Sequence, residues 1–219
     1  MSAGAPALRI TEIYRSIQGE GTRAGRPCTL VRLTGCNLRC TWCDTAYAFH
    51  GGRELGVPEV LDRVGELAVP LVLVTGGEPL IQPASHALMG ALCDAGYEVI
   101  VETGGSLDVT QVDPRVCRIV DIKCPGSGEA HRNRWENLAV LGPRDELKLV
   151  IRDRSDFAWG LDAVRDRGVE RQGVTVLWSP VHGMCPPADL AEWMLESGAP
   201  GRLQVQLHRI LWPQRDRGV

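Results

Sequence analysis

"LVLVTGGEPLIQPASHALMGALCDAGYEVIVETGG" runs from Leu71 to Gly105. It opens on an apolar run, Leu71–Thr75, and turns on two glycines. An amphipathic stretch, Gln82–Ala95, follows, and a second apolar run, Tyr97–Thr103, closes it. Short apolar runs bounded by turn residues read as buried strands, and the longer amphipathic stretch between them reads as a helix. A strand, a helix and a strand in that order form a parallel βα unit.

The same pattern extends outward. Strands are expected at Leu8–Tyr14, Cys28–Leu33, Cys117–Ile122, Leu147–Ile151, Val174–Trp178 and Leu203–His208. Helices are expected at Pro58–Leu67, Arg132–Leu141, Ser155–Arg167 and Pro187–Ser197. From Pro58 onward the two alternate. The expected fold is α/β: an incomplete, TIM-like barrel of parallel strands with helices outside. There are too few βα units to close eight strands. One domain over 1–219 is expected, with a loop at 35–50 and a C-terminal tail at 209–219.

Five polar, glycine-rich words fall where strands end: Thr75–Pro79, Glu102–Gly105, Asp121–Gly128, Ser179–Gly183 and Leu207–Ile210. Parallel units bring those ends to one side, the side that holds active sites in barrels and open α/β sheets. Turn formation alone explains one such word. Five, several of them charged, point to a shared ligand site.

Composition narrows the classes. A chain of 219 residues with net charge −3 and no block of like charge argues against nucleic acid or an anionic membrane as partner. No apolar run is long enough to span a bilayer, and no signal-like segment opens the chain, so a soluble cytoplasmic protein is expected. Eight cysteines are many for such a protein. Cys28, Cys93 and Cys117 read as small buried hydrophobes.

Cys36, Cys40 and Cys43 are different. They lie in "GCNLRCTWCDT", Gly35–Thr45, spaced C-x3-C-x2-C. Structural zinc takes four ligands, often as two distant pairs. Here no second pair follows, although Cys124 or His50 could complete a zinc site. A four-iron, four-sulfur cluster on three thiolates leaves one iron open to a further ligand, which makes a reactive site.

The triad, followed by "TGGEP" at a strand end, resembles the radical S-adenosylmethionine superfamily. "SIQGEGTRAGRPCTLVRLTGCNLRCTWCDTAYAF", "VTGGEPLIQ", "VETGG", "DIKCPGSGE", "DELKLVI" and "QLHRILW" resemble, in order, the 7-carboxy-7-deazaguanine synthase family. The glycyl-radical-enzyme activases share the triad, but they have no need of "QGEG" or "CDT".

The resemblance implies a [4Fe–4S] cluster on Cys36, Cys40 and Cys43, with S-adenosylmethionine on its open iron. It implies a 5′-deoxyadenosyl radical that takes hydrogen from C6 of 6-carboxy-5,6,7,8-tetrahydropterin. The ring then contracts, loses ammonia and yields 7-carboxy-7-deazaguanine. Cofactor contacts fall to Trp42, Cys43, Asp44, Gly76, Gly77, Glu78, Thr103, Lys123, Ser179, Pro180, Val181 and His182. Substrate contacts fall to Ile17, Gln18, Gly19, Glu20, Arg32, Thr75, Glu102 and His208. For Arg32, on an apolar strand, a structural ion pair is the competing reading, and for Lys148 a locally paired side chain.

The resemblance also makes Thr45 the protein ligand of Mg2+. It implies an electron donor such as flavodoxin and a homodimer. "QRDRGV" runs on past the point where some relatives end. The expectation is that it folds back and brings the Val219 carboxylate to the substrate.

Overall fold

Alternate residues on each central strand face opposite layers, and this period of two builds the molecule. In the computed structural model, which describes residues 7–215, 217 and 218, nine strands form one sheet in the order β3-β1-β2-β4-β5-β6-β7-β8-β9. They are β1 (Ala7–Ile17), β2 (Pro27–Leu33), β3 (Arg53–Gly56), β4 (Leu71–Gly76), β5 (Glu98–Thr103), β6 (Cys117–Ile122), β7 (Glu146–Ile151), β8 (Thr175–Pro180) and β9 (Arg202–Leu203). From β2 to β9 all neighbours are parallel, while β1 is antiparallel to both β2 and β3. Among the described residues no strand joins β9 back to β3, so the sheet stays open.

One face carries Val31, Leu33, Val72, Val74, Val99, Val101, Val120 and Ile122, all buried in the main core. The helices α1 (Val57–Leu67), α2 (Ala84–Asp94), α3 (Arg154–Arg167) and α4 (Pro187–Ser197) belong to that side. The other face is lined by a second apolar layer: Cys28, Leu30, Leu71, Leu73, Ile100, Cys117, Ile119 and Leu177. Two residues further along the strands the same inner face turns polar, with Arg32, Thr75, Glu102, Asp121 and Lys148. Pairing confirms the shared face: Arg32 is opposite Thr75, and Asp121 is opposite Lys148.

Helix ends follow local chemistry. Asp153 caps α3 by accepting from the Ser155 and Asp156 amides, and Gly168 at φ 58° ends it.

Two expected elements differ. The alternation of "LQVQLH" predicts a strand, but only Arg202–Leu203 pair, and α5 (Leu207–Leu211) begins four residues later. Gln204 and Gln206 spend their side-chain amides on Glu20, at 3.1 and 2.9 Å, and not on a sheet face. The helix expected over 132–141 is a 3-10 turn, Trp135–Val140. There Asn137 is buried and bonds Val109 N, Gly105 O and Leu107 O.

Candidate active site

The polar ends of the inner face open into a cavity of about 540 Å³. Its wall combines the thiol loop, the ends of β2 and β4–β7, the β1–β2 loop, and the segment around α5.

The thiol loop is fixed by its neighbours. Gly35, at φ 98°, takes a conformation that favours glycine. Its carbonyl accepts from Glu78 N at 2.8 Å, which ties the loop to the glycine turn after β4. A Cβ on Gly77 would fall 2.7 Å from the Cys36 Cβ, so glycine is required for that approach. Thr41 N and Oγ1 donate to Ser127 O and Gly126 O at 3.1 and 3.0 Å, and Arg39 N donates to Glu129 at 2.7 Å. "DIKCPGSGE" therefore braces the far side of the loop.

Cys36, Cys40 and Cys43 all line the cavity as free thiols. Burial pushes all three up, Cys40 to about 11. A metal that binds them as thiolates must displace their protons. Among the described residues, no three Cys, His, Asp or Glu gather round the position of a single ion. A four-iron cluster does not ask them to, because each thiolate binds a different iron. Cys124 is buried and His50 is exposed; neither lines the cavity.

Of the expected cofactor contacts, Trp42, Cys43, Asp44, Gly76, Gly77, Thr103, Lys123, Val181 and His182 line the cavity. Ser179 and Pro180 end β8; both are buried and neither lines the cavity. Glu78 does not line it either. Its fully buried carboxylate accepts from Thr103 Oγ1 at 2.9 Å, Gly104 N at 2.6 Å and Leu80 N at 3.0 Å. Glu78 thus shapes the turn and does not face the cavity.

Of the expected substrate contacts, Ile17, Gln18, Gly19, Glu20, Arg32, Thr75, Glu102 and His208 line the same cavity. Val219 lies outside the described residues. Arg32 reaches the wall and is also ion-paired: its Nε donates to Glu12 at 2.7 Å and a terminal nitrogen to the Tyr14 hydroxyl at 3.4 Å. Lys148 is paired with Glu20 at 2.8 Å and Asp121 at 3.5 Å. Lys123 shares Asp121 at 3.1 Å. Thr45 lines the cavity, and its hydroxyl donates to Asp44 Oδ1 at 2.8 Å.

Charge is unevenly distributed. Burial would raise Glu20, but the Lys148 charge and hydrogen bonds from Lys148 and Gln206 overcome it and hold Glu20 at about 2. Glu102 goes the other way: burial, reinforced by the Glu20 charge, lifts it to about 7 against the pull of Lys148. Burial holds the His208 imidazole below its ordinary value, which favours the neutral ring.

Sequence reasoning passed over Asp121, Tyr47, Gln206, Arg209 and Arg215, all of which line the cavity. The signal for Asp121 was present: it stands two residues before Lys123, on the polar end of an apolar strand. Gln206 was hidden by reading its segment as a strand.

Residues 30–184 match the Radical SAM superfamily. Over 226 residues the chain is 43% identical to 7-carboxy-7-deazaguanine synthase of Koribacter versatilis, covering 97% of this chain and 100% of that protein. The chain belongs to the 7-carboxy-7-deazaguanine synthase family of radical SAM enzymes. The relative of that name from Chlorobaculum tepidum is 44% identical over 222 residues, covering all of both chains. The crystal structure of QueE from Escherichia coli superposes with TM-score 0.77 at 22% identity, over 93% of this chain and 95% of that one, and shows the shared fold.

Radical SAM enzymes carry a [4Fe–4S] cluster and S-adenosylmethionine, and the site fits both. Three cavity-facing thiols on a braced loop match the donor set of such a cluster. Gly76 and Gly77 line the cavity beside them, packed too closely against Leu33 and Gly35 for any side chain.

Proposed function

We propose that this chain converts 6-carboxy-5,6,7,8-tetrahydropterin to 7-carboxy-7-deazaguanine by a ring contraction that releases ammonia. The observation that carries this reading is one cavity in which a three-thiol loop faces a ring of buried polar strand ends. When bound, the reduced cluster and S-adenosylmethionine supply the radical that starts the rearrangement.

The protein's own part is to hold and orient. Cys36, Cys40 and Cys43 hold the cluster. Gly76, Gly77, Trp42, Asp44, Thr103, Lys123, Val181 and His182 hold S-adenosylmethionine, with Glu78, Ser179 and Pro180 supporting them from behind. Glu20, kept ionised, accepts from the N–H donors on the pterin edge, and the Gln18 amide, Gly19 backbone and Ile17 flank it. Arg32 keeps part of its five-donor fork for the pterin carboxylate while Glu12 neutralises it. Thr75, Glu102 and His208 complete the substrate wall. The Val219 carboxylate is a further partner for the pterin.

Thr45 is the protein ligand of Mg2+, a hard ion that takes oxygen and keeps several waters. To hold the ion, its hydroxyl would give up its bond to Asp44. The reading extends to one domain over 1–219, a homodimer, a cytoplasmic setting and a flavodoxin-like reductant. No helix among the described residues is long and apolar enough to cross a membrane.

The test is direct. Protein reconstituted without oxygen and given S-adenosylmethionine, Mg2+, a reductant and the pterin yields 7-carboxy-7-deazaguanine by mass spectrometry. Absence of that product with an intact cluster rejects the reading.

A further inference from the structure

Strand β7 presents two polar side chains to the inner face, Glu146 and Lys148, and only Lys148 lines the cavity. Two residues along a strand span roughly 6.6 Å. The β1–β2 loop crosses this face with a matching spacing. Glu20 meets Lys148 at 2.8 Å, and Thr22, two residues on, meets Glu146. The Thr22 amide donates to both Glu146 oxygens at 3.2 and 3.1 Å, the Thr22 hydroxyl donates to Oε1, and Arg23 adds a contact at 3.1 Å. Between them Gly21 sits at φ 77°, with room for no side chain: a Cβ there would fall 2.6 Å from Glu146 Oε2. Its amide donates to Gln204 at 2.7 Å.

We propose that Glu146, outside the cavity, is the positioning residue that sets Glu20 against the pterin. The inference rests on the substrate reading given above. Glu146 is 1% exposed, and every group facing it from the loop is a donor. Glu146 and Lys148 thus form a two-rung clamp that fixes the register of the loop. A slip of one residue takes Glu20 away from Lys148 and from the Gln204 and Gln206 amides that hold it. Replacing Glu146 by glutamine, at a side chain that is itself buried, sets an amide donor against the Thr22 backbone N–H, which donates to both carboxylate oxygens.

The experiment uses the full chain with a reconstituted cluster. Glu146→Gln raises KM and the equilibrium dissociation constant for the pterin about tenfold, the order of one lost buried hydrogen bond. S-adenosylmethionine affinity and cluster absorption stay at parental values. Glu146→Asp, which keeps the charge, restores part of the loss. Thr22→Val, a milder change that leaves no new buried donor, gives a smaller loss of the same kind and serves if the glutamine variant fails to fold. The deciding comparison is made in a Glu20→Ala background, where Glu146→Gln costs less than it does in the parent, because much of its effect passes through Glu20. Additive losses in the double variant, or unchanged pterin affinity in both single variants, overturn the inference. Absence of pterin turnover by the parent overturns the reaction reading and takes this inference with it.

Discussion

Glu20 and Glu102 are carboxyls of one cavity wall, yet their surroundings push them apart, to about 2 and about 7. The difference lies in partners. Glu20 receives Lys148 and two glutamine amides, whereas Glu102 has burial, the Glu20 charge beside it and one long contact from Gln18 at 3.4 Å. In the unfolded chain Glu102 titrates near the ordinary 4.5, and in the folded chain near 7. Below the lower value both states hold the proton. As pH rises through the window only the unfolded chain releases it, so stability falls and then levels off above pH 7. In the cluster-free protein, Glu102→Gln should remove a pH-linked loss of the order of 1–3 kcal/mol between pH 5 and pH 8, read by urea unfolding. A parental difference that persists in the variant refutes the assignment. Among the thiols, alanine at Cys36, Cys40 or Cys43 abolishes the cluster's charge-transfer absorption and turnover, while Cys93→Ala, on α2, leaves both in place. Thr45→Ala keeps the cluster and S-adenosylmethionine binding but loses stimulation by Mg2+; an equal response in parent and variant removes Thr45 from the metal site.

Elements buried on both faces announce themselves in the sequence. Strands β2 and β4 to β8 read as apolar runs because helices cover one face and the inner apolar layer the other, and the few polar residues in them mark the cavity. Arg32 in "TLVRL" and Lys148 in "LKLVI" were legible for that reason. The pairings that tie them down, with Glu12 on β1 and with Glu20 in the loop after it, were not, although Glu20 itself was read as a substrate contact. Edge elements stayed hidden. "RELG" in β3 has no apolar run, because it needs only β1 as neighbour. The alternation in "LQVQLH" imitates a strand, yet its glutamines serve Glu20 and its histidine sits on α5. The loop Gln18–Gly21 is an element in its own right, held between β7 and that segment. Gly21→Ala would combine an unfavourable positive φ with a clash against Glu146 Oε2. It should cost about 1–3 kcal/mol in urea unfolding and weaken pterin binding. Parental stability in that variant would mean the loop is not clamped.

An open sheet has to be sealed by something other than strands, and here the β1–β2 loop and the segment around α5 meet. Leu207 N donates to Gly19 O at 3.1 Å, which joins the C-terminal segment to the β1–β2 loop. Further along, Arg209 approaches Asp44 at 3.6 Å, Arg215 lines the cavity, and the Arg217 guanidinium lies 4.4 Å from the Tyr47 ring centre. Tyr47 itself lines the cavity and donates to Glu12, the partner of Arg32. Three described residues of the tail, Arg209, Arg215 and Arg217, therefore lie beside the cavity and the thiol loop. A cation over an aromatic ring is worth about 0.5–1 kcal/mol at an exposed site, enough to bias the tail but not to lock it. Removing residues 215–219 takes away both arginines together with the proposed Val219 carboxylate contact, and leaves the bonds from Thr41 and Arg39 that brace the three thiols in place. The truncated enzyme should bind the pterin several-fold more weakly with nearly unchanged affinity for S-adenosylmethionine, measured by equilibrium titration of the reconstituted protein. Replacing Arg217 alone by alanine should give a smaller loss in the same direction. Parental pterin affinity in the truncated chain would return the tail to solvent and leave Glu20, Arg32 and His208 to hold the substrate without it.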